Sequence, residues 1–368
     1  MNRRQFIIRS GAVLAFVGGF PLFESLAQLE TVPRAVPDIA NKLEKAYVDI
    51  LYLASLAPSG HNAQPWTIRL LDTQHWLIGT ASSRWLPVVD PENREMLISL
   101  GAFLENLVMA AGAYGYEVSV NLLSQNSKDE DLLEIKLYKK DEANHFDVEK
   151  IKLRRTVRNS LLTDDLSKED IRFLTANDKA HFIYFPRQSR EGQYLAEGTL
   201  LANQMQAYQS PAQEELANWV RWSNQEIQQS GNGLTAETME ITGLARWYVK
   251  NFYNRQSVLT QRFRAETVKK VQEQVATGSG WLLLTSKDSS LAELIRVGRN
   301  LQQMWLTARE KNIAVHPMTQ MLEESAIKKD LLTTLGITED VQLLLRVGYT
   351  RDYPLPVSPR MPLHRLIL

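Results

Sequence analysis

The chain has no cysteine, so no disulfide, thiolate metal ligand or cysteine nucleophile is open to it, and its fold must rest on packing alone. It also lacks an excess charge of either sign. Lys plus Arg and Asp plus Glu each number 42, which removes the electrostatic case for binding nucleic acid through the chain as a whole. Its six His residues make no His-Glu-X-X-His pattern, so neither His nor Cys offers a recognisable metal site. Long apolar runs are scarce as well. The longest near the start, Gly11 to Phe23, has thirteen residues, short of the ~20 that span a bilayer. What remains is 44% hydrophobic with ordinary Gly and Pro counts, the composition of a globular chain.

The opening Asn2-Arg3-Arg4-Gln5-Phe6-Ile7-Ile8, that short apolar run and the small residues of Ser25-Leu26-Ala27 form a twin-arginine export signal over residues 1–27. A retained N-terminal anchor is the other reading of the same residues. Residues 28–38, with Pro33 and Pro37, form a linker. Export predicts a periplasmic or otherwise extracytoplasmic protein without stable membrane insertion. The 341 residues after the signal suffice for one large or two ordinary domains.

Helical spacing at Leu43, Ala46, Tyr47, Ile50, Leu51 and Ala54 predicts a helix over 39–56, ended by Pro58 and Gly60. Residues 66–71 and 76–79 then read as paired strands, 97–116 as a long helix and 132–138 as a strand. The first unit covers 39–150. In the second, 151–368, a helix at 166–174 and a strand at 180–185 repeat the helix-then-strand order. Leu100-Gly101-Ala102-Phe103-Leu104-Glu105-Asn106-Leu107 resembles Val297-Gly298-Arg299-Asn300-Leu301-Gln302-Gln303-Met304 at a constant offset of 197, and 342–349 answers to the strand at 132–138. These matches predict a duplicated α+β unit. A polar, helical insertion of about 188–277 separates the copies. It carries Trp219, Trp222, Trp247, Tyr248, Phe252 and Tyr253, either as a wall over a planar ligand or as pins for its own helices.

Two stretches carry candidate chemistry. Pro58-Ser59-Gly60-His61-Asn62-Ala63-Gln64-Pro65-Trp66 sets turn residues and two amides in a loop. Amides offer both donors and acceptors, so Asn62 and Gln64 suit the polar edge of a flavin ring. They equally suit a loop whose side chains cap its own backbone. Arg154-Arg155-Thr156-Val157-Arg158 gathers three guanidinium groups and a hydroxyl, a seat for a phosphate monoester unless it is a solvated basic stretch. Arg360, between Pro359 and Met361-Pro362, adds a cation on a stiff segment.

Together with His316-Pro317-Met318-Thr319 and the ending Leu344 to Leu363, these motifs resemble the FMN-dependent nitroreductases, most closely their exported Acg-like branch. In that family two identical subunits build each flavin site across their interface. Here the loop lies in the first half and residues 154–158, 317–319 and 360 in the second. The resemblance therefore implies a nitroreductase-like fold made of two tandem related halves, each a mixed or antiparallel sheet flanked by helices, with one complete FMN site per chain. Arg154, Arg155, Arg158 and Arg360 would hold the phosphate side and Thr156 would join them. Ser59, Asn62 and Gln64 would meet the rings, and Met318 and Thr319 would pass near the reactive edge. Activity would be reduction of a small-molecule acceptor, a nitroaromatic or quinone, with NAD(P)H as the family's electron donor and no protein nucleophile. Export separates the chain from cytoplasmic NAD(P)H, so a flavin-sequestering protein with little turnover stands beside the enzyme. The chain would act as a monomeric pseudo-dimer or pair further into a homodimer.

Overall fold

Residues 43–368 are described in the computed structural model. The expected signal, the linker and residues 39–42 of the first helix lie outside them. Helix α1 (Lys45–Ser55) turns Tyr47, Ile50, Leu51 and Ala54 inward and stops ahead of Pro58. Strands β1 (Trp66–Leu70) and β2 (His75–Thr80) then form an antiparallel hairpin, with Trp66 opposite Thr80. Helix α2 (Arg94–Ala113) is buried along most of its length. It hands over to β3 (Tyr116–Leu122) and β4 (Asp131–Lys139) through Gly115, whose φ of 81° is the left-handed turn that glycine adopts without a Cβ clash. The first sheet has the order β1-β2-β4-β3, every pair antiparallel.

After β5 (Phe182–Pro186) comes the insertion. It contains α3 (Arg190–Tyr208), α4 (Ser210–Trp219), the two-residue strands β6 (Val220–Arg221) and β7 (Leu234–Thr235), α5 (Asn224–Ser230), α6 (Gly243–Phe252) and α7 (Gln261–Val275). Strand β8 (Gly280–Ser286), helix α8 (Leu291–Ala308), β9 (Ile313–Pro317) and β10 (Asp340–Tyr349) complete the chain's regular core. This second sheet runs β5-β8-β10-β9, again antiparallel throughout. Its order maps onto that of the first sheet element for element. The insertion occupies the place of the short turn between β1 and β2. The architecture is thus mixed α/β, two antiparallel four-stranded sheets flanked by helices, in agreement with the α+β expectation.

Helices α2 and α8 pack directly against each other, and their contact is reciprocal. A Cβ on Gly101 would collide with the Ile295 carbonyl, and one on Gly298 with the Ile98 carbonyl. Glycine at both places lets the backbones touch. One turn further, Gln303 donates to Glu105 at 2.6 Å and Gln302 to Asn106 at 2.7 Å. Each pair becomes the other under the offset of 197, the pattern of a two-fold contact in which residue i meets j and j meets i. Arg299 adds a 2.7 Å bond to the fully buried Glu105 carboxylate.

The C-terminal tail crosses between the halves. Ile68 N–H donates to the Leu366 carbonyl and Leu368 N–H to that of Ile68, both at 2.8 Å, so the tail covers the open edge of β1. Two boundaries differ from expectation. The long helix begins at Arg94, where Asp90 accepts from Glu95 and Met96 N–H, and ends at Ala113, because Gly115 breaks it before Tyr116. Strand β8, Gly-Trp-Leu-Leu-Leu-Thr-Ser, has no alternation to betray it because both its faces are buried.

Candidate functional site

A cavity of about 880 Å³ is lined by both halves and by the insertion. The first half contributes Pro58 to His61 and Glu95. From the second come Thr156, Arg158, His316, Met318, Thr319 and Glu323, and the insertion adds Trp222, Tyr248 and Tyr253.

The 58–64 loop is a tight turn with three non-glycine residues in the left-handed region, His61 at φ 49°, Asn62 at 54° and Gln64 at 52°. Such a conformation costs free energy and persists only when surrounding contacts impose it. Here they do. Gln64 N–H donates to Ser59 Oγ at 2.9 Å, the Gln64 amide donates to the Gly231 carbonyl and accepts from Met361 N–H, both at 2.9 Å, and Asn62 Nδ2 donates to the Gly233 and Pro359 carbonyls. Asn62 and Gln64 therefore brace the loop against residues 231–233 and the 359–361 segment. Ser59 is the member of that predicted trio that lines the cavity.

The guanidinium groups gather beside the loop. Arg154 is 8% exposed, stacks over Trp305 at 5.0 Å and donates to the Leu56 carbonyl at 2.9 Å, and its Nε has no partner among the described residues. Arg360 donates to the same carbonyl at 2.9 Å and also bonds Asn62 Oδ1. No carboxylate lies within ion-pair distance of Arg154 or Arg360 among the described residues. Burial pulls Arg154 down to about 10, and burial with the charge of Arg154 pulls Arg360 down to about 9. Arg155 and Arg158 are served differently. Glu240, on the turn before α6, accepts from Arg158 N–H at 3.1 Å and Asn159 N–H at 2.7 Å, and its carboxylate is 3.4 Å from Arg155.

Arg158 and the buried Arg346 flank His316, with Arg158 Nη1 at 2.9 Å from Nε2 and Arg346 Nη2 at 3.3 Å from Nδ1. Burial and then these two cations hold His316 well below its ordinary value, so the ring is neutral and accepts the closer bond.

Part of the cavity lining is acidic, from Glu95 and Glu323. The Thr319 hydroxyl lies 2.9 Å from Glu95 Oε1 and 3.3 Å from Glu323 Oε1, while Gln206 donates to Glu323 Oε2 at 2.7 Å. Arg94 pairs with Glu95 at 2.8 Å. Burial first, and the neighbouring Glu95 charge second, raise Glu323 well above the usual carboxylate range and keep it protonated. Burial lowers His61 to about 4, so that ring is neutral too.

Of the predicted residues, Ser59, Thr156, Arg158, Met318 and Thr319 line the cavity. Arg154, Arg155 and Arg360 stand behind that lining, and Asn62 and Gln64 hold the loop. The bend and the guanidinium cluster are neighbours, joined through Leu56 and Asn62. Glu95, Glu240, Glu323 and Arg346 were not singled out by sequence reasoning. No motif marks them: Glu95 and Glu323 stand beside other charged residues, Arg94 and Glu324, as surface charges commonly do, and Arg346 interrupts an apolar run. Among the insertion's aromatics, Trp222, Tyr248 and Tyr253 wall the cavity, whereas Trp219 packs with Ala63 and Leu86, and Trp247 and Phe252 face solvent.

No family profile matches the chain. Relatives named as NAD(P)H nitroreductases match most of it at about a quarter identity. It is 24% identical over 341 residues to "Probable NAD(P)H nitroreductase PigM" of Serratia sp. (strain ATCC 39006), covering 89% of this chain and 95% of that protein. It is 26% identical over 322 residues to "Putative NAD(P)H nitroreductase acg" of Mycobacterium tuberculosis (strain H37Rv), covering 84% and 92%. Among solved structures, the FMN-dependent nitroreductase NfnB from Mycobacterium smegmatis in complex with NADPH aligns at a TM-score of 0.33 and 14% identity, over 57% of this chain and 92% of that one.

Proposed function

We propose that this chain is an exported, nitroreductase-type oxidoreductase that holds one FMN in the cavity between two duplicated halves and reduces small-molecule acceptors such as quinones or nitroaromatics. The observation that carries the reading is the pair Arg154 and Arg360. Two neighbouring guanidinium groups share one carbonyl, one has an unpartnered Nε, and neither has a carboxylate within reach among the described residues. A like-charge pair with Arg154 buried and Arg360 half-buried is costly until an anion joins it, and phosphate matches guanidinium geometry bidentately. The donor set therefore fits the phosphate of FMN.

On this reading FMN extends its phosphate past the lining residue Thr156 to Arg154 and Arg360, which are not themselves part of the cavity wall. Arg158 and the neutral His316 line the cavity. Ser59 and the loop backbone border the ring region, in a turn that Asn62 and Gln64 keep in its strained shape. Met318 and Thr319 lie next to the acidic lining. Bound FMN would supply reversible two-electron transfer, so the chain itself needs to bind, orient and exclude water. NAD(P)H is the donor suggested by the relatives' names. After export a donor outside the cytoplasm would have to replace it. The reciprocal α2–α8 contact and the matching strand orders support a fused pseudo-dimer.

A second reading, flavin sequestration, is favoured by one feature, the aromatic wall of Trp222, Tyr248 and Tyr253 over the cavity. Anaerobic bleaching of the FMN-loaded protein by a chemical reductant, followed by addition of a soluble quinone, separates the two. Rapid return of the oxidised spectrum on quinone addition supports the enzyme. A flavin that resists bleaching, or stays bleached, overturns it.

A further inference from the structure

We propose that Glu323 is the proton donor to the acceptor reduced in this cavity, at the head of a hydrogen-bonded chain that runs through Thr319 to Glu95. The inference rests on the proposed function and adds to it the source of the acceptor's proton. Two separate segments supply the chain. Glu95 stands in the first turn of α2, while Thr319 and Glu323 lie at the two ends of the short helix Gln320–Glu323 that follows β9. All three side chains line the cavity, and both carboxyl residues are half-buried. Met321 and Leu322, between them, are buried in the core, which fixes the turn that carries Glu323.

A hydroxyl has one proton to give. Thr319 Oγ1 lies 2.9 Å from Glu95 Oε1 and 3.3 Å from Glu323 Oε1, so it cannot donate to both. Were both carboxyls ionised, the longer contact would set a hydroxyl lone pair against a negative oxygen. The arrangement is satisfied when Glu323 is a carboxylic acid that donates to Thr319 and Thr319 donates to the Glu95 carboxylate. Counter-charge decides which of the two keeps the proton. Glu95 has Arg94 at 2.8 Å, whereas Glu323 has no ion pair among the described residues and accepts from the neutral amide of Gln206 at 2.7 Å. Burial and the charge of Glu95 act in the same direction, and Arg94 only partly opposes them. The other groups around the short helix leave this balance alone. Strand β10 brings the uncharged Gln342, and Glu324 bonds Gln209. Lys328, Lys329 and Asp330 of the helix Ser325–Leu335 are exposed, and His61, which lies near Glu95, is neutral.

Reduction of a quinone to a hydroquinone takes two electrons and two protons. Hydride from the reduced flavin of the proposed function brings both electrons and one proton to the acceptor, which is left as an oxyanion. The O–H bond of Glu323 then breaks as a new one forms on that oxygen, and water reprotonates the carboxylate left behind. Without this transfer a hydroquinone anion would be left in a cavity that also holds the Glu95 carboxylate.

Infrared spectroscopy of the flavin-free protein reads the proton without any turnover. The wild type should show a carboxylic-acid C=O stretch at neutral pH that Glu323→Gln removes. In the FMN-loaded protein, reduced anaerobically, reoxidation by a soluble quinone should slow by about 100-fold in the same variant. FMN content should not change, nor should reoxidation by ferricyanide, which takes one electron and no proton. The wild-type quinone rate should fall as pH rises through the raised folded value of Glu323, and the variant should lose that fall. A wild type without the infrared band, a quinone rate untouched by the substitution, or an equal loss with ferricyanide overturns the inference and leaves the flavin reading standing. A wild type that takes up no FMN, or whose reduced flavin ignores quinone, refutes the proposed function and this inference with it.

Discussion

Replacing Arg360 by Met probes the anion seat directly. In the flavin-free protein the substitution removes a guanidinium that burial and Arg154 pull down to about 9, and with it the bonds to the Leu56 and Ala57 carbonyls and to Asn62. A depressed arginine is unfavourable at any pH below its folded value, where both folded and unfolded states carry the proton, so its removal relieves repulsion at neutral pH. The lost hydrogen bonds, worth about 1 kcal/mol each, act the other way, and partial exposure discounts the electrostatic gain. Flavin-free stability should therefore change by no more than about 1 kcal/mol. FMN affinity should not escape so lightly. Loss of one charge-assisted contact to phosphate costs about 1.5–3 kcal/mol, which raises Kd by about 10- to 100-fold. Riboflavin has the same rings and no phosphate, so its affinity should move by less than about twofold. Titrating flavin-free protein with each compound and following flavin fluorescence gives both numbers. Equal binding of FMN and riboflavin by the wild type, or a parallel fall of both in the variant, would refute the assignment of Arg154 and Arg360 to phosphate.

Two further outcomes follow from other parts of the fold. Gly298→Ala places a methyl group against the Ile98 carbonyl and the Gly101 backbone, so α2 and α8 must separate. A loss of about 1–3 kcal/mol in urea unfolding is expected, and an unchanged midpoint would mean the helices do not touch there. Glu323 keeps a proton in the folded state that the unfolded chain releases above about 4.5, so this group makes stability fall as pH rises from there through its raised folded value. Glu323→Gln, a neutral near-isostere, should match the wild type at about pH 4 and exceed it at about pH 8 in urea unfolding. A variant that is less stable at the higher pH would show that Glu323 is ionised in the folded protein.

Much of the fold was legible because its signals are local. Helical spacing marked α1 and α2, short alternating runs marked β1, β2 and β4, and the Leu100 and Val297 segments announced the helix pair that forms the seam between halves. Strand β8 escaped because a strand buried on both faces loses its period of two. The site was legible in part. Arginine-rich residues 154–158 and the Pro-Ser loop were recognised, and they do meet. Their division of labour was not readable, because an Asn or Gln in a left-handed turn can point its amide at a ligand or back at the chain, and the tertiary contacts with 231–233 and 359–361 decide which. Glu95, Thr319 and Glu323 come together only when α2 and the segment after β9 converge. No spacing along the chain encodes that meeting.

Incubation with excess FMN, exhaustive desalting and a visible absorption spectrum test the central claim, that two halves of one chain grip a single flavin. A retained flavin band at about one FMN per chain, lost in the Arg360→Met variant under the same desalting, is the predicted result. A colourless wild-type protein after this treatment would contradict the account.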